Sequence, residues 1–469
     1  MDTLVALVLA ASATGLQVDP TPQFGDLDAM LERRVVRVAV PYSRTLYFND
    51  RGAQRGLTAD TLRDFEVFLN KRYPHRAQPL VVVAMPVTRE RLIAGLVQGH
   101  ADLAAGNLTI TPERDAKVDF SKPIAQGPGE IVVAGPRAPR LARLEDLGGH
   151  AVHVRGSSSY YFSLVALNKR LAAEGKPVAR ISLVPEALED EDLMDMVAAG
   201  LIGLTVVDGW KADIWGRMQK RLKPRKDLAL TAEQSVGWAF RAGSPKLAAL
   251  VDEFIDRYPG SRAQRYRDYP AYVVQLGNAT ADTDWKRFQS TIALFRKYAP
   301  RYGIDPLMAA ALGYQESRLE QSARSSVGAI GVMQLMPDTA ATLNVGDVTE
   351  IEANVHGGIK YLRILRERAI SGGRPDEQNL TLFALAAYNA GPGRVAALRA
   401  EAPQMGLDAD VWFDNVERVA ARRVGQETVT FVRSIYKYYV AYKLQLETLE
   451  ARRAAARAYA PPKKAAAKK

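Results

Sequence analysis

Apolar residues in the first half of the chain alternate between short β-type runs and amphipathic helical stretches. Runs rich in Val, Ile and Leu stand at residues 35–40, 80–84, 130–134, 151–154, 181–184, 204–207 and 236–240, the length of buried strands. Between several of them lie segments such as 61–71 and 89–98, whose apolar positions recur at helical spacing. Strands alternating with helices predict an α/β domain, from about residue 31 to 272. From about Asp284 the character changes: helical periodicity dominates, β-branched runs become rare, and loops carry Gly, Pro and Asn. That pattern predicts a second, helical domain. The boundaries that follow are a targeting segment at 1–22, the α/β domain at 23–272, a linker at 273–290, the helical domain at 291–450 and a basic disordered tail at 451–469.

Composition narrows the possibilities further. A chain of 469 residues exceeds one compact core and predicts two or three domains. The formal charge is +11, but part of it sits in Lys463, Lys464, Lys468 and Lys469. No nucleic-acid-binding motif accompanies it, so it reads as a solvated basic surface and no nucleic-acid partner is expected. The absence of cysteine excludes disulfides, thiolate nucleophiles, cysteine-ligated zinc and a lipid-bearing cysteine. The five histidines form no two-His helical pair, so neither metal nor other cofactor is expected. An apolar run from Thr3 to Ala13 ends in Ala11-Ser12-Ala13, like a signal-peptidase site, although Asp2 stands where Lys or Arg is usual. Export is the expectation.

In the helical domain, Asp305-Pro306 reads as a helix start, with Asp at the N-cap and Pro at the first helical position. Met308, Leu312, Gln315, Glu316 and Leu319 follow at spacings of three and four, which puts Glu316 on or beside the apolar stripe. A carboxylate against a core holds its proton to higher pH, as a general acid for a glycosidic oxygen must. By itself the pattern also fits a partly exposed Glu near a helix end.

Three motifs surround it. Glu316-Ser317 comes first, then Gly331-Val332-Met333-Gln334, then Ala387-Tyr388-Asn389, with Glu427-Thr428 and Phe431-Val432 later. In that order they resemble the soluble lytic transglycosylase family, Val332 replacing the usual Leu. The resemblance spans about 299–442 and implies an all-α lysozyme-like fold. It also implies that Ser325, Gln334, Met336, Tyr388, Asn389 and Glu427 line a glycan groove around the catalytic acid Glu316. The residue types fit: Gly328 and Gly331 permit close backbone approach, Gln334 and Asn389 carry paired donors and acceptors, and Tyr388 offers a ring to a pyranose face. Met336 reads equally well as core, and Glu427 as a helix cap. No second carboxylate belongs to a motif, whereas standard glycosidases use two. The resemblance therefore implies a substrate-assisted lyase on peptidoglycan glycan strands, forming 1,6-anhydro ends. A hydrolytic muramidase is the alternative.

In the α/β domain, the run from Ala101 to Arg114, with Val118-Asp119-Phe120-Ser121-Lys122-Pro123, resembles type-3 extracellular solute-binding proteins. That implies a two-lobed, periplasmic-binding-protein-like domain, with lobe one at about 31–128 and 233–272 and lobe two at about 129–232. By the resemblance Arg114 grips a ligand carboxylate and Thr109 adds a contact. Ser157 and Ser158 lie at a loop entering a helix, and Asp208 holds an ammonium. The ligand class implied is a muropeptide, peptide or amino acid. The two domains in this order resemble the membrane-bound lytic transglycosylase F family, which implies a periplasmic enzyme peripheral to the outer membrane. A non-enzymatic binding sensor is the alternative from another class.

Overall fold

The computed structural model describes residues 21–127, 129–257, 276–369 and 373–458, with a short backbone pairing of Leu9–Ala10 and Gln17–Val18. The targeting segment, apart from that pairing and residues 21–22, lies outside the described residues, as do 258–275 and 459–469.

All seven expected runs are strands, and they assemble into two sheets. In the first the order is Val81–Val87, Val35–Pro41, Leu103–Thr109, Gln234–Arg241, Val118–Phe120, and Ala125–Gly127 pairs further along Gln234–Arg241. The first three are parallel and Gln234–Arg241 runs against its neighbours. In the second the order is Arg180–Val184, Ala151–Arg155, Leu204–Asp208, Glu130–Ala134, Lys223–Ala229, the first three parallel and Glu130–Ala134 antiparallel to both neighbours. The chain crosses between the sheets after Gly127 and returns between Ala229 and Gln234. Helices cover the sheets because parallel strands are apolar on both faces. Behind the first sheet, Phe65 of Leu57–Arg72 meets Trp238 at 5.4 Å and Phe254 of Pro245–Arg257 at 5.0 Å, both edge-on. Buried Arg37 is neutralised by Asp102 at 2.9 Å.

The lobes built on these sheets are clasped together. Helix Asp190–Ala199 is buried along its whole length, its acidic first turns included. Ser43 donates to Glu191 at 2.6 Å, Arg44 pairs with Asp192 and Asp195 at 3.1 and 2.6 Å, and Trp215 donates to Thr45 at 2.9 Å.

The chain folds as two compact units: the described residues within Met1–Leu276 together with Leu365–Val432, and those within Gly277–Ile364 and Arg433–Lys469. The first therefore includes helices Glu377–Ala390, Pro392–Glu401 and Glu417–Arg423. This division differs from the sequence boundary because the stretch 418–426 is fastened to lobe one. Arg418 Nη2 donates to Pro86 O at 2.9 Å, Arg51 N to Ala421 O at 2.9 Å, and Gln426 Nε2 to Asn49 O at 2.6 Å. The second unit contains Asp282–Tyr298, Pro306–Ser317 and Pro337–Leu343, with the larger parts of Ile351–Arg368 and Gln426–Ala458. Its core stacks Phe288 on Tyr442 at 4.2 Å and sets Tyr314 edge-on to Tyr438 at 4.7 Å.

Two boundaries move. Asp282–Tyr298 begins inside the expected linker: Asp282 and Asp284 favour a helix N-terminus, and Phe288, Ile292 and Phe295 give it a face to bury. Gln426–Ala458 outlasts residue 450, as the Ala and Arg of 451–458 are strong helix formers. Among the described residues no helix is long and apolar enough to cross a membrane.

Candidate active site and ligand cleft

Helix Pro306–Ser317 is started by Asp305, whose carboxylate accepts from Leu307 N at 2.7 Å. It stops abruptly, because Arg318 and Leu319 are both left-handed, at φ 56° and 61°. Glu316 is its penultimate residue and is only partly exposed. Burial pushes its carboxyl up to about 7, and no neighbouring ionised group contributes to the shift. The proton a general acid must donate is thus retained near neutral pH.

The next residue ties the helix end to the turn that follows. Ser317 donates to Val332 O at 2.9 Å and accepts from Glu320 N at 3.2 Å, joining the helix end to the glycine-containing turn. That turn is tight. Ser325 accepts from Ala329 N at 2.9 Å, and Gln334, itself left-handed at φ 45°, folds its amide back onto Gly331 O at 2.8 Å. Met336 is exposed at the N-cap of Pro337–Leu343.

Gly331 is obligatory: its φ is 75°, and a Cβ there would stand 2.5 Å from Asn354 Nδ2. Asn354 was not among the residues singled out from sequence. It is fully buried, accepts from Met333 N at 2.8 Å, and donates to Ile330 O at 2.8 Å and Val348 O at 3.0 Å. Its one sequence signal is an amide in a helix whose neighbours Val355, Ile359 and Leu362 are apolar and buried.

Glu316, Ser325, Gln334 and Met336 stand in the second unit, and Tyr388, Asn389 and Glu427 in the first. Tyr388 and Asn389 close helix Glu377–Ala390, before Gly391 turns the chain. Asn389 Oδ1 accepts from Thr428 Oγ1 at 2.7 Å, which brings the third motif beside exposed Glu427.

In the solute-binding region, Arg114 Nη1 donates to Thr109 O at 2.9 Å, so the two sequence candidates are in contact. Burial holds the Arg114 guanidinium below its ordinary value; Asp208 opposes that shift and Arg89 reinforces it. Asp208 lies 3.5 Å from Lys211 Nζ, and its backbone N–H donates to Tyr160 Oη at 3.3 Å. The serines are occupied locally. Ser157 donates through N–H and hydroxyl to the Glu186 carboxylate at 3.1 and 2.5 Å. Ser158 caps Ser159–Ala173, accepting from Tyr161 N at 3.4 Å and donating to Arg155 O at 2.7 Å. Sequence reasoning missed the charged chain beside them: Arg155 bridges Glu189 and Asp190 at 3.2 and 2.7 Å, and Lys211 pairs with Asp190.

The family model of the transglycosylase SLT domain matches residues 293–409, and that of the bacterial extracellular solute-binding proteins, family 3, matches residues 36–267. A curated relative from Ectopseudomonas mendocina (strain ymp), named membrane-bound lytic murein transglycosylase F, is 29% identical over 461 residues, covering 93% of this chain and 89% of its own. One of the same name from Alteromonas mediterranea is 27% identical over 474 residues, covering 94% and 95%. Among solved structures, the ancestral amino acid-binding protein AncCDT-1 is similar over 53% of this chain and 98% of its own, at 22% identity and a TM-score of 0.38. The chain thus sets a family 3 solute-binding domain ahead of an SLT domain and aligns over nearly its whole length with relatives named membrane-bound lytic murein transglycosylase F.

Proposed function

We propose that this chain cleaves the bond between N-acetylmuramic acid and N-acetylglucosamine in peptidoglycan, with Glu316 acting first as acid and then as base. Protonated Glu316 gives its proton to the bridging oxygen as the C1–O bond breaks, while the substrate's 2-acetamido carbonyl stabilises the developing positive charge. The resulting carboxylate takes the proton of the muramyl 6-hydroxyl as that oxygen bonds to C1. A 1,6-anhydro end forms without water, and Glu316 is protonated again. The observation that carries this reading is a carboxyl raised to about 7 by burial alone, with no second carboxylate acting on it.

Ser325, Gln334, Met336, Tyr388, Asn389 and Glu427 are assigned to glycan binding. Arg114, Thr109, Ser157, Ser158 and Asp208 are assigned to a wall-derived peptide or amino acid whose occupancy regulates cleavage in the periplasm, at the outer membrane. Digestion of purified peptidoglycan, analysed by mass spectrometry, tests the chemistry. Anhydro ends, lighter by one water than reducing ends and lost in Glu316→Gln, are expected; reducing ends would identify a muramidase instead.

A further inference from the structure

We propose that Arg89 is a second anion-binding residue of the ligand cleft, selecting ligands that carry a side-chain carboxylate besides the one gripped by Arg114. This rests on the reading of the cleft as an amino-acid or peptide site.

Arg89 opens helix Arg89–Val97 on lobe one and reaches across to lobe two, where its Nε donates to Glu189 Oε2 at 3.3 Å. That single bond engages one edge of the guanidinium. Its Nη2 is buried and has no hydrogen-bond partner among the described residues. A buried guanidinium N–H without an acceptor is uncommon in a folded protein and marks a place where an acceptor belongs. Glu189 is itself shared, accepting from Arg155 Nη1 at 3.2 Å, so it does not neutralise Arg89 alone.

Arg89 also stands close enough to Arg114 for its charge to weaken proton binding there. Two guanidiniums from one lobe that feel each other's charge repel unless anions lie between or beside them. Lobe two supplies Asp208, assigned above to the ligand, at 3.5 Å from Lys211 Nζ. Arg89 and Arg114 from lobe one with Asp208 from lobe two suit an amino acid with two carboxylates and one ammonium. Arg89 has the prong geometry to bind the second carboxylate.

Isothermal titration of the full chain with glutamate and glutamine, each as both enantiomers, tests this, because each pair differs only in the side-chain charge. One glutamate enantiomer should bind about tenfold or more tightly than its glutamine, the range of a charge-assisted hydrogen bond. Arg89→Met should bring glutamate to the level of glutamine and leave glutamine binding unchanged. If Arg89→Met fails to fold, Arg89→Lys keeps a charge beside Glu189 but loses the second prong, and the same selective loss is expected. Equal binding of acid and amide by the unmodified chain, or equal weakening of both by the variant, would overturn the assignment of Arg89 while leaving an amino-acid cleft in place. No binding of any of the four would overturn the amino-acid reading, and Arg89 with it.

Discussion

The hydroxyl of Ser317 donates to the carbonyl oxygen of Val332 at 2.9 Å, fixing the residue after Glu316 to the turn that carries Gln334. The bond holds Glu316 and the turn that carries Gln334 in register across a helix end. Ser317→Ala leaves Val332 O without this donor and frees the helix terminus. Because misplacement of an acid affects the chemical step most, kcat should fall about tenfold or more with KM nearly unchanged. Steady-state release of anhydromuropeptides measures both.

Glu316→Gln should reduce cleavage by about a thousandfold, within the range of lost acid–base catalysis. In the unmodified enzyme the active form carries the proton, so kcat/KM should decline as pH rises through about 7. The sign for stability is the same. Folded Glu316 holds its proton more tightly than the unfolded chain does, so the folded state loses stability as pH rises from the ordinary carboxylate range to about 7. Thermal unfolding at pH 5 and pH 8 should show the Gln variant gaining relative stability at the higher pH.

Asn354→Ala removes one hydrogen bond each from Met333 N, Ile330 O and Val348 O together. Ile330 O still accepts from Leu335 N and Val348 O from Gln321 Nε2, so a loss of about 1–3 kcal/mol is expected in denaturant unfolding. Gly331→Ala meets the same amide from the other side, and its positive φ adds strain. Each variant alone should lower activity at a temperature where it remains folded.

Arg44→Ala leaves Asp192 and Asp195 without their cation inside the lobe contact. Breaking a buried pair from one side destabilises by about 3–5 kcal/mol, and opening the lobes to water relieves that cost. Small-angle scattering of the variant should therefore show a larger radius of gyration than the unmodified chain.

The alternating α/β pattern was legible because each of the seven runs is apolar enough to be buried. Lys223–Ala229 was not: it is an edge strand of mostly charged residues with Pro224 near its start, and nothing in it alternates. Leu103–Thr109 reads as a motif rather than a strand, since Ala104, Ala105 and Gly106 lack β-branched bulk. Glu316 drew attention as a carboxylate on an apolar stripe, but its expected role came from the motifs around it, since the stripe alone also fits a partly exposed Glu. Asn354 could not be assigned a role, because its partners belong to a turn and a loop that only the fold brings beside it. The occupation of Ser157 by Glu186 depends likewise on two loops meeting.

Glu316 is the penultimate residue of a helix that the left-handed Arg318 and Leu319 cut short. Peptide dipoles accumulate negative potential at that end, which disfavours a second negative charge and favours the neutral acid. The main chain therefore does not oppose the burial that raises the carboxyl. The working pH of the acid thus depends on the packing around this helix end, and a substitution that opens Glu316 to water should lower it towards the ordinary carboxylate range.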